Sequence, residues 1–239
     1  MKIFVCVKHV PDSAATIVVR DGNKIDEKIT FLLNPYDEYA VTEAVRFKKY
    51  LDQVSSGDLD QVTSGGETGH TKAEVIAVCL GMASAEKTVR SAMEMGADRG
   101  ILIKTESCHP DSITTAKALK AAIAQDGNPD IIFTGRESID MSGAQTMFRL
   151  GACFNFQVVN NVVKFTPDIT DSNTLDSNEQ KHIDNNANPN IKETRKVRVE
   201  TLTEGGGRDI YELSLPCILG AGRGLNTPIY PTFPDFIIE

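Results

Sequence analysis

Past the middle of the chain runs the stretch Asp130-Ile-Ile-Phe-Thr-Gly-Arg-Glu-Ser-Ile-Asp-Met-Ser-Gly-Ala-Gln-Thr-Met147. Residues 130–133 have the apolar pattern of a buried strand, and a polar loop containing glycine follows. Ser142 and Gln145 have the spacing of a capping box, which predicts that a helix begins there. A strand, a loop and a helix start in this order present free backbone N–H groups and a positive dipole end, which suits phosphate. We therefore expect the ligand site at this junction.

Apolar runs of strand length recur before this junction, at residues 2–9, 74–80 and 101–104. Segments with helical spacing of apolar residues lie between them and after the junction. This alternation predicts right-handed parallel crossovers, and hence a doubly wound, mostly parallel, Rossmann-like α/β sheet. Ligands of such sheets bind beyond the carboxyl ends of the strands, here near Lys8, Leu80 and Gly135.

Three helix starts are predicted from polar residues that precede helical patterns. Asn34 can cap a helix that opens with Pro35, and Asp37 would face the dipole of that helix. Ser84 can cap the next helix, which Gly96 would end. Asp111 opens a third helix, ended by Gly127, whose predicted inner side consists of Ile113, Ala116, Leu119 and Ile123.

The second part of the chain has a different pattern. Segments 158–165, 194–202 and 210–215 alternate as antiparallel strands. We expect one domain at 1–219, with polar insertions at about 55–71 and 166–192, and an extended C-terminal arm at 220–239. Several large apolar residues of the arm would be exposed without a partner surface: Ile229, Tyr230, Phe233, Phe236, Ile237 and Ile238.

Composition limits the possible partners. The 239 residues include 33 acidic and 25 basic side chains, a net charge of -8, which argues against a nucleic acid or an anionic membrane surface. The sequence contains no apolar run of membrane-spanning length and no room for a signal peptide before its first strand. Five widely spaced cysteines without a C-x-x-C pair favour a reduced, cytoplasmic protein without a zinc or iron–sulfur site.

The motifs indicate binding rather than catalysis. The sequence has no Walker A loop, no G-x-G-x-x-G and no G-x-S-x-G. Its four histidines lie in separate contexts without metal-ligand spacing, so we predict no metal site. Glu137 and Asp140 could act as an acid–base pair, but we expect them to hydrogen-bond a ribose or backbone amides. His9 could orient a ligand, although a packed histidine is the simpler interpretation.

Five short motifs occur in an order typical of one protein family: Val5-Cys-Val-Lys-His-Val-Pro-Asp12, Asn34-Pro-Tyr-Asp-Glu-Tyr-Ala40, Met95-Gly-Ala-Asp-Arg-Gly100, Gly135-Arg-Glu-Ser-Ile-Asp140 with Gln145-Thr146, and Leu225-Asn-x-Pro228. Together they resemble the β (small) subunit of electron transfer flavoprotein. The resemblance implies an adenine-nucleotide-binding fold and an electron carrier that is not an enzyme by itself. It also implies a heterodimer with an α subunit that carries the redox-active FAD. That dimer would take electrons from acyl-CoA or related dehydrogenases and pass them to a quinone oxidoreductase or another acceptor.

The resemblance also implies binding residues. A structural AMP would contact positions that match the family's: Cys6, Asn34, Pro35, Tyr36, Asp37, Leu80, Gly135, Arg136, Glu137, Ser138, Asp140, Ser142, Gln145 and Thr146. Its phosphate would lie near Gln145 and Thr146, and Tyr36 would lie close to the flavin of the α subunit. Phe233 would anchor the loop that docks dehydrogenases, together with Ile229, Tyr230 and Phe236.

Some residues depart from the family pattern. Met147 stands where glycine is usual, Ala144 where a polar residue is frequent, Ser13 where many members have tyrosine, and Ile229 where arginine is common. The sequence printed here ends without the usual lysine-rich segment, so we expect a shortened arm.

Two other functions stay open. Val10-Pro-Asp-Ser-Ala14 is also typical of electron-bifurcating members, in which a second FAD replaces AMP and NADH delivers electrons; Thr146 favours AMP. A different class is an AMP- or ATP-sensing module on the same fold.

Overall fold

The computed structural model describes residues 1–16, 18–20, 24–25, 29–56, 72–107, 110–168, 195–203 and 205–230. The helices in these ranges are α1 (Pro35–Ser56), α2 (Glu86–Glu94), α3 (Ser112–Asp126) and α4 (Thr146–Phe154). The strands are β1 (Lys2–Val7), β2 (His9–Pro11), β3 (Val19–Arg20), β4 (Lys24–Ile25), β5 (Phe31–Leu33), β6 (Glu74–Gly81), β7 (Arg99–Lys104), β8 (Ile131–Gly135), β9 (Gln157–Asp168), β10 (Lys196–Leu202), β11 (Arg208–Ser214) and β12 (Cys217–Ala221).

The large sheet has eight strands in the order β11-β10-β9-β12-β8-β1-β6-β7. The strands from β9 through β12, β8, β1 and β6 to β7 pair in parallel, whereas β9, β10 and β11 pair antiparallel. Two small antiparallel pairs, β2 with β5 and β3 with β4, lie apart from it. The predicted mostly parallel α/β sheet with an added antiparallel portion is confirmed.

Helices cover both faces of the parallel strands because side chains alternate along each buried strand. On β1, Ile3, Val5 and Val7 belong to the apolar cluster that contains residues of α1 and α2. Phe4, the intervening residue, belongs to the cluster formed with α3 and α4. From β1 the chain first adds β6 and β7 on one side and then places β8 on the other side, so the strand order reverses at β1. The switch point, where such sheets bind ligands, thus lies between β1 and β8.

Most of the predicted helix boundaries hold. α1 opens with Pro35, and α2 ends before Gly96, which has φ 111°. The Asp111 side chain caps α3 by accepting hydrogen bonds from the N–H groups of Ile113 and Thr114.

Two details of α2 and α3 are wrong. Ser84 is no helix cap, because a 3₁₀ turn, Ala83–Ala85, precedes α2 and contains it. Ile113 is 47% exposed, whereas Ala116, Leu119 and Ile123 are buried as predicted.

The second part of the chain contains a strand that the sequence pattern did not predict. β12 is a fully buried parallel strand between β8 and β9, and it continues past residue 219 to Ala221. The boundaries of the expected insertions also differ, since α1 includes Ser56 and β9 extends to Asp168. The rest of both insertions, 57–71 and 169–192, lies outside the described residues.

Hydrogen bonds join residues 226 and 229 to α1. Asn226 Nδ2 donates to the Tyr39 carbonyl (2.9 Å) and to Glu43 Oε2 (2.8 Å). The Ile229 N–H donates to Thr42 Oγ1 (3.0 Å). Ile229 packs against the core and is half-buried, so the expectation that it is exposed is wrong, whereas Tyr230 is 72% exposed. Phe233, Phe236, Ile237 and Ile238 lie outside the described residues.

No helix in the described part of the chain is long and apolar enough to cross a membrane.

Candidate functional site

The site at the switch point begins with Lys8, which follows β1. Its ammonium Nζ contacts both carboxylate oxygens of Asp140, each at 2.7 Å, and lies 3.2 Å from Ser138 Oγ. Burial opposes ionisation of Asp140, but hydrogen bonds from Lys8 and Ser138 outweigh it and leave the pKa of this carboxyl below its ordinary value. The loop after β8 is thus attached electrostatically to the end of β1.

A buried carboxylate lies beneath this ion pair. Asp37, in the first turn of α1, accepts a hydrogen bond from the Lys8 N–H at 2.7 Å through Oδ2. Its Oδ1 accepts from the Gly135 N–H (3.1 Å) and from Asn34 Nδ2 (3.0 Å). Burial raises the pKa of Asp37 to about 7, although these hydrogen bonds and the Lys8 charge act in the opposite direction. Asp37 therefore joins the carboxyl ends of β1 and β8.

Asn34 extends the same contact to the ligand loop, which we define as residues 136–145. Its Nδ2 donates to the Glu137 carbonyl (2.9 Å), and its Oδ1 accepts from the Ile139 N–H (3.1 Å). Asn34 precedes α1 as predicted, and its carbonyl accepts from the Asp37 N–H (2.8 Å). The predicted side-chain cap is wrong, because the Asn34 side-chain oxygen accepts its hydrogen bond from the Ile139 N–H of the ligand loop instead of from an N–H of α1.

Gly135 lies at the closest approach of β8 to α1. A Cβ built there would lie against Asp37 Oδ1 and within 2.8 Å of Tyr36 Cβ and 2.9 Å of the Tyr36 carbonyl carbon. Real Cβ atoms essentially never come within 3.0 Å of another heavy atom. Glycine is required here because the backbone of β8 must come close enough for its N–H to reach the buried carboxylate.

The predicted capping box at Ser142 is wrong. α4 begins at Thr146, its N-cap residue is Gln145, and no side chain caps it. Ser142 and Ala144 have left-handed backbone (φ 47° and 48°), so the chain turns here instead of starting a helix. Gln145 Oε1 accepts from Arg149 Nη2 (2.8 Å) and Ser112 Oγ (3.4 Å), which directs this side chain to the start of α3. Within the part of the chain that the structure describes, no side chain caps the first N–H groups of α4, as an anion site requires.

Other predicted residues lie around this centre. Arg136 lies over the Tyr36 ring, with 5.5 Å from Cζ to the ring centroid, and pairs with Glu137 at 3.1 Å. Cys6 and Leu80 are the next-to-last residues of β1 and β6. Burial raises the pKa of the Cys6 thiol far above its ordinary value. Cys6 is therefore a neutral, unreactive thiol in the wall of the site.

His9 lies beside the site rather than in it. Its ring stacks on Phe31 with 4.7 Å between ring centroids, and Nδ1 lies 2.7 Å from Thr88 Oγ1. Burial and the nearby Lys87 charge lower the pKa of His9.

Comparison with known proteins adds independent evidence. A family model described as "Electron transfer flavoprotein domain" matches residues 53–233. The chain belongs to the electron transfer flavoprotein family, among its β subunits. The electron transfer flavoprotein subunit beta of Syntrophomonas wolfei is 29% identical over 97% of this chain and 73% of its own length. That of Bacillus subtilis is 27% identical over 99% of this chain and 75% of its own. The acryloyl-CoA reductase electron transfer subunit gamma of Anaerotignum propionicum is 34% identical over 61% of this chain and 48% of its own.

In this electron transfer flavoprotein chain, the structure brings together residues that are far apart in sequence. Asn34, Asp37, Gly135, Glu137, Ser138 and Asp140 form one contact network, and Gln145 and Thr146 lie at its α4 side. Lys8 is central to the network but was not among the predicted contacts. Its position directly after the central strand was the signal that could have identified it.

Proposed function

We propose that this chain is the β subunit of a heterodimeric electron transfer flavoprotein, with a structural AMP bound at the switch point. The dimer carries electrons from acyl-CoA or related dehydrogenases to a quinone oxidoreductase or another acceptor. The chain completes the binding site of the FAD that the α subunit carries. That FAD supplies the electron chemistry when bound, and the residues of this chain supply binding, orientation and access.

The uncapped start of α4 is the observation that carries the AMP site. Its first N–H groups lack side-chain acceptors, and Thr146 adds a hydroxyl at the first helical position. Gly143 has no heavy atom within 4 Å of a Cβ position, so the preceding loop leaves open space. An uncapped helix start beside open space fits a phosphate group, whose negative charge the helix dipole stabilises.

The polar groups of the ligand loop fit the remaining part of a nucleotide. The backbone and side chains at Glu137, Ser138 and Asp140 supply donors and acceptors that suit a ribose. Lys8 neutralises Asp140, which removes one negative charge that would repel the phosphate. The predicted contacts of Cys6, Leu80 and Pro35 with the nucleotide belong to this proposal.

Both proposed partner surfaces include or contact α1. Tyr36 and Arg136 form a half-exposed cation–π pair suited to a planar ring of the partner's cofactor. The arm beginning at Ile229 and Tyr230, with Phe233 and Phe236, supplies the apolar contact with dehydrogenases. The hydrogen bond from the Ile229 N–H to Thr42 attaches the start of this arm to α1.

An electron-bifurcating subunit is the second candidate. The stretch Val10-Pro-Asp-Ser-Ala14, which is also typical of electron-bifurcating members, favours it. A second FAD would then occupy the AMP position, and NADH would deliver electrons.

Nucleotide content separates these functions. The chain is co-expressed with the neighbouring flavoprotein gene, and the complex is purified, denatured and assayed for released nucleotides. One FAD and one AMP per dimer support the proposal. Two FAD with NADH oxidation establish bifurcation, and a monomer that binds ATP alone establishes the sensing module.

Substitution at the start of α4 tests the phosphate position. Thr146→Ala, combined with Gln145→Ala, lowers AMP occupancy about tenfold if one hydrogen bond to phosphate is lost. Thr115→Ala is the matched control, because it removes a half-buried hydroxyl from the first turn of α3, where its partner is the Asp111 carbonyl. Equal occupancy in both variants would place the phosphate elsewhere.

A further inference from the structure

Asn34 and Asp37 have no polar atom available for a ligand. Their exposed fractions are 1% and 5%. Both oxygens of Asp37, and both the oxygen and the nitrogen of the Asn34 side chain, have hydrogen-bond partners within the chain. A role in binding must therefore act through the groups that these two side chains hold.

The groups that Asn34 and Asp37 bind lie in the ligand loop and at the end of β1. Asn34 binds the loop on both sides of Ser138, through the Glu137 carbonyl and the Ile139 N–H. Asp37 binds the Lys8 N–H and thereby fixes the start of the side chain that reaches Ser138 and Asp140. From the side of β12, the Arg136 N–H donates to the Ala221 carbonyl (3.0 Å). Asn34 directly, and Asp37 through Lys8, thus attach residues 137–140 to the start of α1.

We infer that Asn34 and Asp37 are positioning residues, a clamp that fixes residues 137–140 and so determines how tightly the site holds AMP. The inference rests on the proposed nucleotide site. Ordering a free loop at the moment of binding would cost conformational entropy, which reduces affinity. A loop fixed beforehand by the two Asn34 hydrogen bonds to Glu137 and Ile139, and by the Lys8 contacts with Ser138 and Asp140, avoids this cost.

The first test compares two asparagines that donate equivalent hydrogen bonds. Asn34 Nδ2 donates to one backbone carbonyl and one carboxylate. Asn226 Nδ2 does the same, with the Tyr39 carbonyl and the Glu43 carboxylate of α1 as its acceptors. Both Asn34→Ala and Asn226→Ala are made in the co-expressed complex. Titration calorimetry measures the AMP dissociation constant, and hydrogen exchange measures protection of the Ile139 amide.

Asn34→Ala is expected to raise the AMP dissociation constant about tenfold or more and to speed exchange of Ile139 by a similar factor. Asn226→Ala is expected to leave both within about twofold of the wild type, the margin that 0.4 kcal/mol corresponds to. Equal AMP affinity in the two variants would overturn the clamp and leave Asn34 with a structural role alone.

The pH profile gives a readout that a merely structural role would not change. Protonation of Asp37 converts one of its two acceptor oxygens into a hydroxyl, a weaker acceptor for the N–H of Lys8 or of Gly135, so one attachment weakens as pH falls below about 7. The charged and titratable groups facing Asp37 are Lys8 and the thiols of Cys6 and Cys79, and burial keeps both thiols neutral. Asp37→Asn cannot ionise, so its AMP affinity relative to wild type should rise as pH falls from 8 to 6.

A constant ratio of the two affinities across this pH range would overturn the role of Asp37, even if Asn34→Ala fails to fold. Absence of AMP binding by the wild-type complex would refute the proposed function instead. Exchange at Ile139 then decides the clamp by itself: faster exchange in Asn34→Ala supports it, and unchanged exchange refutes it.

Discussion

The amino edge of the parallel sheet, where its strands begin, and the carboxyl edge, where its strands end, surround their carboxylates with different partners. At the amino edge, Arg99 pairs with Glu74 (2.7 Å) and Asp126 (2.6 Å), and Lys2 also pairs with Asp126 (2.9 Å). These partly exposed pairs connect β1, β6, β7 and α3. At the carboxyl edge, the buried carboxylate of Asp37 accepts hydrogen bonds from the N–H of Lys8, directly after β1, and from that of Gly135 in β8. In the described residues, no cation contacts its oxygens directly.

The difference separates stability from binding. Paired, hydrated charges at the amino edge lower the pKa of Asp126 to about 2, mainly through its hydrogen bonds with Arg99, and so favour the folded state at neutral pH. The desolvated carboxylate at the carboxyl edge is instead costly when ionised. Such a cost is typical of a site in which geometry matters more than stability.

The largest expected effect is a change in the pH dependence of stability at the carboxyl edge. The pKa of Asp37 is about 7 in the fold against an ordinary 3.8, so the folded state binds more protons than the unfolded state between these values. Wild-type stability should therefore fall as pH rises through this window and level off above it. Relative to wild type, Asp37→Asn should gain up to about 4 kcal/mol from pH 4 to pH 8.

Urea unfolding of both proteins at pH 4, 6 and 8 measures this difference. Parallel stability curves would mean that Asp37 carries no shifted pKa and that the two edges do not differ in this way.

The next effect tests the close approach at the carboxyl edge. Gly135→Ala places a methyl group against Asp37 and Tyr36, which should cost about 2 kcal/mol of unfolding free energy through overpacking. Gly143→Ala is the matched control for stability, because nothing lies within 4 Å of its Cβ position. Chemical denaturation at pH 7 compares them, and an equal loss in both would contradict the observed approach of β8 to α1.

A smaller effect is expected at the amino edge. Arg99→Met removes the partner of Glu74 and Asp126 and should cost about 1 kcal/mol at pH 7, because these pairs are partly hydrated. The cost should vanish as pH falls through the pKa of Asp126, opposite in sign to the trend at Asp37. AMP content of the complex should stay unchanged, and a loss of nucleotide would show that the two edges are not independent.

The smallest effect compares two helix starts at the carboxyl edge. Asp111→Ala should lower the unfolding temperature more than Ser142→Ala does, because this carboxylate caps α3. Ser142→Ala should cost less than about 0.5 kcal/mol, because Ser142 caps no helix. Thermal unfolding distinguishes the two. A substantial loss on replacing Ser142 would restore the predicted capping box.

The sequence allowed the parallel strands and their common binding edge to be predicted, because apolar runs and helical spacings are local signals. It did not reveal β12, whose five residues include Gly220 and merge into the tail. A Cβ at Gly220 would meet Asn160 and, at 2.8 Å, the Met147 sulfur, and neither neighbour is visible from local pattern.

The details of the site depended on distant residues in the same way. Asn34 has the local sequence of a helix cap, but its partners lie more than one hundred positions away, at Glu137 and Ile139 (separations of 103 and 105). Ser142 has the spacing of a capping box, but the chain needs two left-handed residues to turn from the ligand loop into α4. Local propensity was outweighed by tertiary contacts at these positions.

The position of β12 affects the order in which the protein can be completed. It is the last described strand in the chain, yet it lies in the interior of the sheet and joins β8 to β9. During synthesis, β8 keeps one unpaired edge, and the ribbon of β9, β10 and β11 has no strand linking it to β1, until residue 221 has left the ribosome. A nascent chain halted before that point exposes two open sheet edges, which are sites for pairing with other chains.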